Sequence, residues 1–469
     1  MIVMKFGGTS VGSAKEILRV TQLVSKEKRK KVVVVSAMGG VTDKLDRMAK
    51  KVVNLPTEVV ESEVEKFHKE ILDLHVSTIK EAVKDAKVQE EVLKEVSTLA
   101  NSLKYALIGI GYLEDLSPRS LDYIWSFGER MSAPIVAGAL RSKGIKAKHL
   151  TGYEAGLVTN SCFGCARPLF KKLDKTIKEA LKPLVDTGVV PVVTGFIAAD
   201  EEAKMTTLGR GGSDYTASII GRYLNVEEVQ IWTDVDGILT TDPRIVPNAK
   251  QIYSISYVEA MDLAYFGAKV IHSKMIEPAM DADIPVRIKN TFNPENVGTL
   301  VVKDSEQVEG VVKAISIAKN VAIINLKGVG LAETPNIAAT VFNLLGESNI
   351  NIIMISGASE ANLSFVVKRS DVQGAVNVLN TEFLAGCIRS LEVIEDGCII
   401  AVVGAGMRGT RGIAARIFQT AADVNVNIIM IAQGSSEVNI SFMVKENEGD
   451  AVLKALHKKF IEDGKGAKK

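Results

Sequence analysis

The sequence predicts an α/β domain over residues 1–300, followed by two ferredoxin-like βαββαβ modules. The first observation is the β-branched run Lys31–Val35, which ends in a glycine turn. Continuous apolar strands of this kind suit a sheet that is covered on both faces. The second is a Glu- and Lys-rich stretch at 57–116 with apolar residues at helical spacing, which predicts a helical excursion. The third is an internal repeat after residue 300.

The composition restricts the class of protein and its partners. At 469 residues the chain has room for about three domains. A hydrophobic content of 46%, with 24% charged residues, is typical of a soluble globular protein. The net charge of +1 gives no reason to expect nucleic acid or an anionic membrane as a partner. Because Lys5 interrupts the short apolar start, and no apolar run approaches the roughly 18 residues of a membrane helix, we expect a cytoplasmic protein.

The cysteines indicate little chemistry at the sequence level. Cys162-Phe163-Gly164-Cys165 has metal-knuckle spacing, but the other two cysteines, Cys387 and Cys398, are too far along the chain to form a second pair of that kind. We therefore expect reduced thiols of a cytosolic protein rather than a zinc or redox site.

A strand–turn motif opens the chain. Ile2–Met4 predicts a buried strand, and Lys5-Phe6-Gly7-Gly8 follows directly. Glycines let backbone N–H groups approach a phosphate closely, and the lysine adds positive charge. The motif is not a P-loop, because Ser13 and Ala14 stand where Lys and Ser/Thr are required. The interpretation is a phosphate cradle, with a plain turn as the alternative.

A second glycine-rich segment, Gly209-Arg210-Gly211-Gly212-Ser213-Asp214, precedes an apolar helical run. A glycine loop that enters a helix N-terminus favours an anion through free N–H groups and the helix dipole. Arg210 adds a planar fork suited to a carboxylate. Asp214 either complements the helix dipole or lies where phosphates would bind.

Further carboxylates follow predicted turns. Ser126-Phe127-Gly128-Glu129 predicts a carboxylate at a turn before a helix, with a solvated capping glutamate as the alternative. Thr233-Asp234-Val235-Asp236-Gly237 predicts a strand that delivers two aspartates to a turn. Ile238 stands where a calcium loop needs Asp or Asn, so calcium is not expected. The two aspartates would instead bind magnesium or position a lysine or a ribose. Lys269 supplies another cation.

The internal repeat follows a cluster of turn formers at 290–296. Asn351–Ser356 corresponds to Asn427–Ala432, and Gly328-Val329-Gly330 corresponds to Gly404-Ala405-Gly406, at an offset of 76 residues. Each copy reads strand, glycine loop, helix, strand, turn, strand, helix, which is the ferredoxin-like order. The predicted division is a domain at 1–300 and modules at 301–386 and 387–469.

In this order, the motifs around Lys5, Glu129, Arg210, Asp234 and Lys269 resemble those of aspartokinase. The paired repeat resembles the two ACT domains of that family, so the resemblance covers nearly the whole chain. It implies a three-layer αβα amino-acid-kinase fold, carbamate-kinase-like, with a helical excursion and two ACT domains. It also implies phosphoryl transfer from Mg²⁺-bound ATP to the β-carboxylate of L-aspartate. This reaction opens the pathway to lysine, threonine, methionine and isoleucine.

The implied reaction suits these residue types. A carboxylate with a pKa of about 3.9 is already ionised at neutral pH, so no general base is required. The obstacle is repulsion between an anion and a triphosphate, and positive charge and positioning overcome it.

The resemblance also implies a role for each site residue. Lys5 would bridge the substrate and the transferred phosphoryl group, and Asp214 would orient that lysine or the metal. Glu129 would bind the aspartate ammonium and Arg210 a carboxylate. Leu239 stands where some aspartokinases carry a tyrosine against the nucleotide. The residues that would hold aspartate are Ser36, Thr42, Glu129, Arg210, Gly211 and Ser213. Those that would surround ATP are Lys5, Gly7, Gly8, Thr233, Asp234, Leu239, Arg244, Lys269 and Val270.

The ACT resemblance implies an amino-acid effector at an interface between modules, and a homodimer or homotetramer built through them. A repeat that only holds a dimer together is the alternative. Ile353 stands where lysine-sensitive relatives place an acid, and an apolar side chain would leave a lysine ammonium unpaired. Threonine is therefore predicted over lysine. The effector residues are Leu331, Thr334, Ile337, Ala338, Asn351, Ile352 and Ile353.

Two other functions remain open from the sequence. A glutamate or acetylglutamate kinase shares the superfamily, but the Glu129 motif and the twin repeat argue against it. A catalytically silent amino-acid sensor is the second, and the presence of Lys5, Asp214 and Lys269 argues against that. We expect no homoserine dehydrogenase domain, because little sequence follows the second repeat.

Overall fold

A computed structural model describes residues 1–267, 270–304, 312–327, 337–359, 362–383 and 390–463. The chain forms two compact units. The first comprises Met1–Ile238, Tyr253–Tyr257 and Val270–Ser305. The second comprises Leu239–Ile252, Val258–Lys269 and Glu306–Lys469.

The first unit contains a mixed eight-stranded sheet in the order β3-β5-β2-β1-β8-β10-β11-β9, and a small three-stranded sheet in the order β4-β6-β7. The large sheet is parallel from β3 to β10, β11 runs antiparallel to β10, and β9 runs parallel to β11. The strands are β1 (Ile2–Phe6), β2 (Lys31–Val35), β3 (Ala147–Leu150), β4 (Val158–Thr159), β5 (Val190–Thr194), β6 (Ile197–Asp200), β7 (Met205–Thr207), β8 (Glu228–Thr233), β9 (Ser254–Ser256), β10 (Val286–Asn290) and β11 (Thr299–Val302).

The helices before residue 300 are α1 (Ala14–Lys26), α2 (Val41–Val52), α3 (Thr57–Ala82), α4 (Ala86–Leu113), α5 (Pro118–Arg141), α6 (Phe170–Asp186), α7 (Gly212–Leu224), α8 (Tyr257–Tyr265) and α9 (Ser273–Asp281). The predicted helical excursion is confirmed as α3 and α4. Asp85 begins α4 by accepting a hydrogen bond from the Val88 N–H at 3.0 Å, as N-cap residues do. Within the described ranges, every helix is too short or too polar to cross a bilayer.

The two faces of the large sheet carry different layers. Ile2, Met4 and Phe6 of β1 belong to a core cluster that also contains the buried faces of α1 to α5. Because side chains alternate along a strand, Lys5 points to the opposite face, where it meets Asp214 at the start of α7. The sheet is therefore enclosed by helices on both sides, which confirms the three-layer prediction.

The second unit contains a six-stranded antiparallel sheet in the order β13-β14-β12-β15-β17-β16. Its helices are α10 (Ile337–Glu347), α11 (Val372–Phe383), α12 (Ile413–Asp423) and α13 (Gly449–His457). Its strands are β12 (Ala314–Lys327), β13 (Met354–Ser359), β14 (Asn362–Lys368), β15 (Ser390–Val403), β16 (Met430–Gln433) and β17 (Asn439–Lys445). The order strand, helix, strand, strand, helix occurs twice, so the predicted pair of ferredoxin-like modules is confirmed.

Strand β12 is shared between the two repeats. Residues 314–318 pair with 399–403 of β15, and after a register irregularity residues 321–327 pair with β14. Ile315 belongs to the core cluster of the second repeat, whereas Ile324 belongs to that of the first. The start of β12 thus adds a strand to the second repeat, although it precedes the first repeat in the sequence.

Candidate active site

A cavity of about 350 Å³ opens where β1 and β2 end, at the edge where parallel sheets bind ligands. Its walls come from segments that are far apart in the sequence. The lining residues are Lys5, Gly8, Ser36, Ala37, Met38, Gly40, Thr42, Asp43, Glu129, Phe196, Gly209, Arg210, Gly211, Gly212, Ser213 and Asp214. All six residues predicted to hold aspartate lie in this wall, together with both predicted catalytic residues.

An ion pair forms one side of the cavity. Lys5 Nζ lies 2.5 Å from Asp214 Oδ1, and the two side chains are only 10% and 16% exposed. Lys5 comes from the end of a central strand, whereas Asp214 lies in the first turn of α7. The carboxylate therefore holds the lysine ammonium against the cavity wall, where an incoming anion would meet it.

The second glycine-rich segment turns sharply into α7. Gly211 has φ +74°, and a Cβ there would lie 2.6 Å from the Cβ of His272. Glycine is required for both the left-handed backbone and the close approach. This turn directs the N-terminus of α7 toward the cavity and places Arg210 and Ser213 in its wall.

Glu129 is the most unusual carboxylate of the cavity. It lies in the middle of α5, so the prediction of a turn before a helix was wrong: the helix runs on through Gly128, whose missing Cβ lets it pack against Ala37. Glu129 Oε1 accepts a hydrogen bond from the Ala37 N–H at 3.1 Å, and Oε2 has no partner among the described residues. Burial raises the pKa of Glu129 to about 8. The site therefore holds an unsatisfied carboxyl oxygen suited to a cation.

Ser36 and Thr42 are the remaining residues that the sequence predicts to hold aspartate. Ser36 directly follows β2, and its N–H donates to the Phe6 carbonyl at 3.1 Å. Thr42 lies in the first turn of α2, which begins after Gly40 in the left-handed conformation. Ser36 and Thr42 line the same cavity as the glycine loop before α7. The cavity therefore contains both hydroxyl groups and cationic side chains.

The predicted nucleotide residues are divided between the units. Gly7 donates its N–H to the Trp232 carbonyl at 3.2 Å, Gly8 lines the cavity, and the Thr233 hydroxyl donates to Asp234 at 3.1 Å. Val270 also belongs to the first unit. Leu239 and Arg244 belong to the second unit, where the exposed Arg244 guanidinium binds Asp242 at 2.6 Å. Lys269 lies outside the described residues.

The predicted effector residues are described only in part. Ile337 is buried and Ala338 exposed at the start of α10. Asn351, Ile352 and Ile353 precede β13, and the Ile353 N–H donates to the Val366 carbonyl at 2.7 Å. Leu331 and Thr334 lie outside the described residues.

The corresponding segment of the second repeat lines a cavity. A cavity of about 270 Å³ lies between its glycine loop, the start of α12 and the end of β16. At the offset of 76 residues, its lining residues Met407, Thr410, Ile413 and Ala414 are the counterparts of four predicted effector residues in the first repeat. Polar groups are supplied by Gln433 and Glu437, the latter accepting the Gly409 N–H at 2.7 Å.

Sequence reasoning missed two residues that shape the active-site wall. Asp122 is fully buried and accepts hydrogen bonds from the Thr207 hydroxyl at 2.6 Å, the Thr207 N–H at 3.0 Å and the Gly164 N–H at 2.8 Å. Phe196 lines the cavity with φ +67°, a conformation that non-glycine residues adopt at a cost. No sequence pattern around Asp122 or Phe196 indicates that the first would fix the cavity wall by hydrogen bonds or that the second would line it.

Comparison with known proteins agrees with this geometry. The model of the amino acid kinase family matches residues 1–290, and that of the ACT domain matches 324–383 and 400–460. Aspartokinase 1, chloroplastic, of Arabidopsis thaliana is 34% identical over 470 residues, covering 98% of this chain and 80% of the relative. The chain belongs to the aspartokinase family. Aspartokinase 2, chloroplastic, of the same plant is also 34% identical, over 98% of this chain and 84% of its own.

Solved aspartokinase structures have the same fold. E. coli aspartokinase III in complex with aspartate and ADP, in its R-state, has a TM-score of 0.85 at 29% identity, with 98% of this chain and 99% of that chain covered. The same enzyme in complex with lysine and aspartate, in its T-state, has a TM-score of 0.78 at 29% identity over the same shares. The predicted amino-acid-kinase fold and ACT pair are thus confirmed as the aspartokinase arrangement.

Proposed function

We propose that the cavity at the ends of β1 and β2 binds L-aspartate and transfers the γ-phosphoryl group of ATP to its β-carboxylate, giving 4-phospho-L-aspartate and ADP. Family membership makes the chain a phosphotransferase that acts on the carboxyl group of aspartate. One observation carries the assignment of this site: Lys5, Arg210 and the unpartnered Glu129 carboxyl oxygen line one cavity. A ligand with one ammonium and two carboxylates satisfies all three.

Charge explains the role of Lys5. The acceptor carboxylate and the γ-phosphate are both anions, and a cation between them lowers the repulsion as they approach. Asp214 fixes the position of the ammonium by the 2.5 Å ion pair. Because the acceptor is already ionised at neutral pH, the mechanism needs no residue to remove a proton.

Aspartate is oriented by groups of opposite charge. Its ammonium is placed on Glu129, whose buried carboxyl ionises when a cation arrives, and a carboxylate is placed on the Arg210 guanidinium. Ser36, Thr42, Ser213 and the Gly211 backbone supply the remaining hydrogen bonds, which is consistent with their places in the wall.

For the nucleotide, we propose that Gly7, Gly8 and Lys5 face the phosphates, and that Thr233, Asp234 and Val270 lie along the rest of ATP. We also assign Leu239, Arg244 and Lys269 to the nucleotide site, and this assignment rests only on their sequence motifs. Mg²⁺ would arrive with ATP. Asp214, in the wall of the cavity, is a carboxylate that would help to hold this ion.

Trapping of the product with hydroxylamine tests this function. With ATP, Mg²⁺ and L-aspartate, we expect aspartyl hydroxamate to accumulate, because hydroxylamine captures the acyl phosphate. L-glutamate and N-acetylglutamate serve as matched substrates, and we expect no product from either. Product from glutamate but not from aspartate would contradict the proposal, and no product from any of them would favour a silent amino-acid sensor.

We further propose that an amino acid regulates the enzyme through the repeats. The 270 Å³ cavity of the second repeat supports this, because its glycine loop and helix enclose a space with apolar and polar walls. The E. coli relative has been solved with lysine. In this chain Ile353 offers no charge to a lysine ammonium, so threonine is proposed as the effector in preference to lysine.

Thermal unfolding distinguishes the effectors. At 10 mM of each amino acid, we expect threonine to raise Tm and lysine to leave it unchanged, because a ligand stabilises only the state that binds it. Thr410→Val and Thr334→Val form a matched pair that assigns the response to one repeat. Stabilisation by lysine alone would contradict the proposal.

The remaining proposals concern organisation. We propose a catalytic domain at 1–300, ACT domains at 301–386 and 387–469, a homodimer or homotetramer formed through the ACT domains, and a first step toward lysine, threonine, methionine and isoleucine. We also propose a cytoplasmic location.

A further inference from the structure

A pair of exposed cysteines lies in a tight turn of the first unit. The Cys165 N–H donates to the Cys162 carbonyl at 3.3 Å, and Gly164 between them has φ +86°. The two Sγ atoms are 3.6 Å apart, and both residues are solvent-exposed. The hydrogen bond between the thiols and the charge of Cys165 raise the pKa of Cys162. The two sulfurs therefore lie on the same side of the turn, within contact of each other.

This geometry suits a disulfide better than a metal. The ends of a β-turn lie within about 7 Å at Cα, and a disulfide requires about 4.4–6.8 Å. Rotation of the side chains can then bring the sulfurs to bonding distance without a large backbone movement. Zinc requires four ligands, and the described part of the chain brings no third His, Cys, Asp or Glu to the pair. Asp122 is already bound to Gly164 and Thr207.

The turn is attached to the wall of the active-site cavity. Asp122 accepts from Gly164 in the turn and from Thr207 at the end of β7, and the Ala166 N–H donates to the Thr207 carbonyl at 2.8 Å. Gly209 passes so close that a Cβ on it would lie 3.4 Å from the Gly164 carbonyl oxygen. Gly209 and Arg210 both line the cavity. The turn therefore packs directly against the segment that carries the Arg210 guanidinium.

We propose that Cys162 and Cys165 form a reversible disulfide that moves the Gly209–Arg210 segment and weakens the binding of the substrate carboxylate. The oxidant is a small-molecule disulfide. One cysteine thiolate attacks a sulfur of that molecule, forms a mixed disulfide and releases one thiolate. The second cysteine thiolate then displaces the remaining half. The two cysteines lose two protons and two electrons, and the small disulfide leaves as two thiols.

The disulfide and the movement of residues 209–210 do not depend on the proposed function, whereas the weaker binding of the substrate carboxylate rests on it. The experiment therefore has two readouts. The full chain is equilibrated in glutathione buffers of increasing oxidised fraction, quenched with an alkylating reagent and analysed by peptide mass. Hydrogen exchange of residues 207–213 and the KM for aspartate are measured on the same samples, with Cys162→Ser and Cys165→Ser as matched controls that keep Cys387 and Cys398.

We expect the peptide that contains both cysteines to lose two hydrogens in oxidising buffer and to regain them with dithiothreitol. Exchange at 207–213 should change with the same midpoint, and the KM for aspartate should rise about fivefold or more. Neither serine variant should show these changes. Absence of the intramolecular disulfide, or a disulfide that leaves exchange at 207–213 unaltered, would overturn the proposal. If the chain phosphorylated no substrate, the proposed function would fail. The peptide mass and the hydrogen exchange at 207–213 would still decide whether the disulfide forms and moves this segment.

Discussion

Replacing Lys5 with methionine should lower kcat for aspartyl phosphate formation by about 10²–10³-fold. Methionine preserves most of the volume of the side chain but removes the ammonium that lies 2.5 Å from Asp214 and lines the cavity. The repulsion between acceptor carboxylate and γ-phosphate is then unscreened in the transition state. The hydroxylamine assay at saturating substrates measures the loss, and Lys5→Arg should retain part of the rate because it retains the charge.

Stability separates the catalytic role of Lys5 from a structural one. Loss of the lysine leaves Asp214 unpaired at 16% exposure, which should destabilise the fold by about 2–3 kcal/mol, below the cost for a fully enclosed pair because the cavity admits water. Adding Asp214→Asn to Lys5→Met should restore most of that stability without restoring activity. A double variant that regained activity, or a single variant active within tenfold of the wild type, would show that Lys5 acts only in folding.

Replacing Glu129 with glutamine should raise the KM for aspartate about 30- to 100-fold, because the substrate ammonium loses its buried counter-charge. Burial raises the pKa of Glu129 to about 8, so the free enzyme holds a proton there at neutral pH. In the proposed binding mode, aspartate displaces this proton when its ammonium binds. The KM of the wild type should therefore fall as pH rises from 6 to 8, whereas the KM of the variant should be nearly constant over that range.

The same substitution should stabilise the empty protein above pH 5. The folded chain keeps the Glu129 proton up to about pH 8, whereas the unfolded chain releases it near pH 4.5. Wild-type stability therefore falls as pH rises between these values, by on the order of 5 kcal/mol over the whole window at 1.36 kcal/mol per pKa unit. Glutamine keeps the hydrogen bond to the Ala37 N–H without this loss.

Differential scanning calorimetry at pH 5 and pH 8.5 measures the effect. The variant should have the higher Tm at pH 8.5, and the difference should nearly vanish at pH 5. Asp43→Asn, at an exposed position of the same cavity, controls for removal of a carboxylate as such. A difference in Tm that does not depend on pH would contradict a proton held on Glu129.

The sequence predicted elements whose signal is local. The β-branched run of β2 and the apolar spacing of α3 and α4 each contain their own periodicity, and the structure has them as expected. The turn before α7 was also predictable, because its backbone has φ +74° at residue 211 and glycine readily adopts that conformation. Local patterns of this kind are set by the backbone and need no knowledge of the rest of the chain.

The failures involve contacts between distant segments. The glycine in the Glu129 motif suggested a turn, but here it allows α5 to pack against Ala37, 91 residues away in the sequence. Asp122 is unremarkable until folding brings Gly164 and Thr207 to it. The raised pKa of Glu129 has the same origin, since burial by several segments produces it. Such properties appear only when the tertiary structure is known.

The strand shared by the two repeats also has a consequence for synthesis. Residues 314–318 leave the ribosome well before their partners at 399–403, so the second repeat cannot close its sheet until the whole of the first has been made. A fragment cut between the repeats would expose the hydrogen-bonding edge of residues 399–403, which invites pairing with another chain. The predicted second module begins at residue 387, but its sheet includes residues 314–318, which lie before the first module's helices.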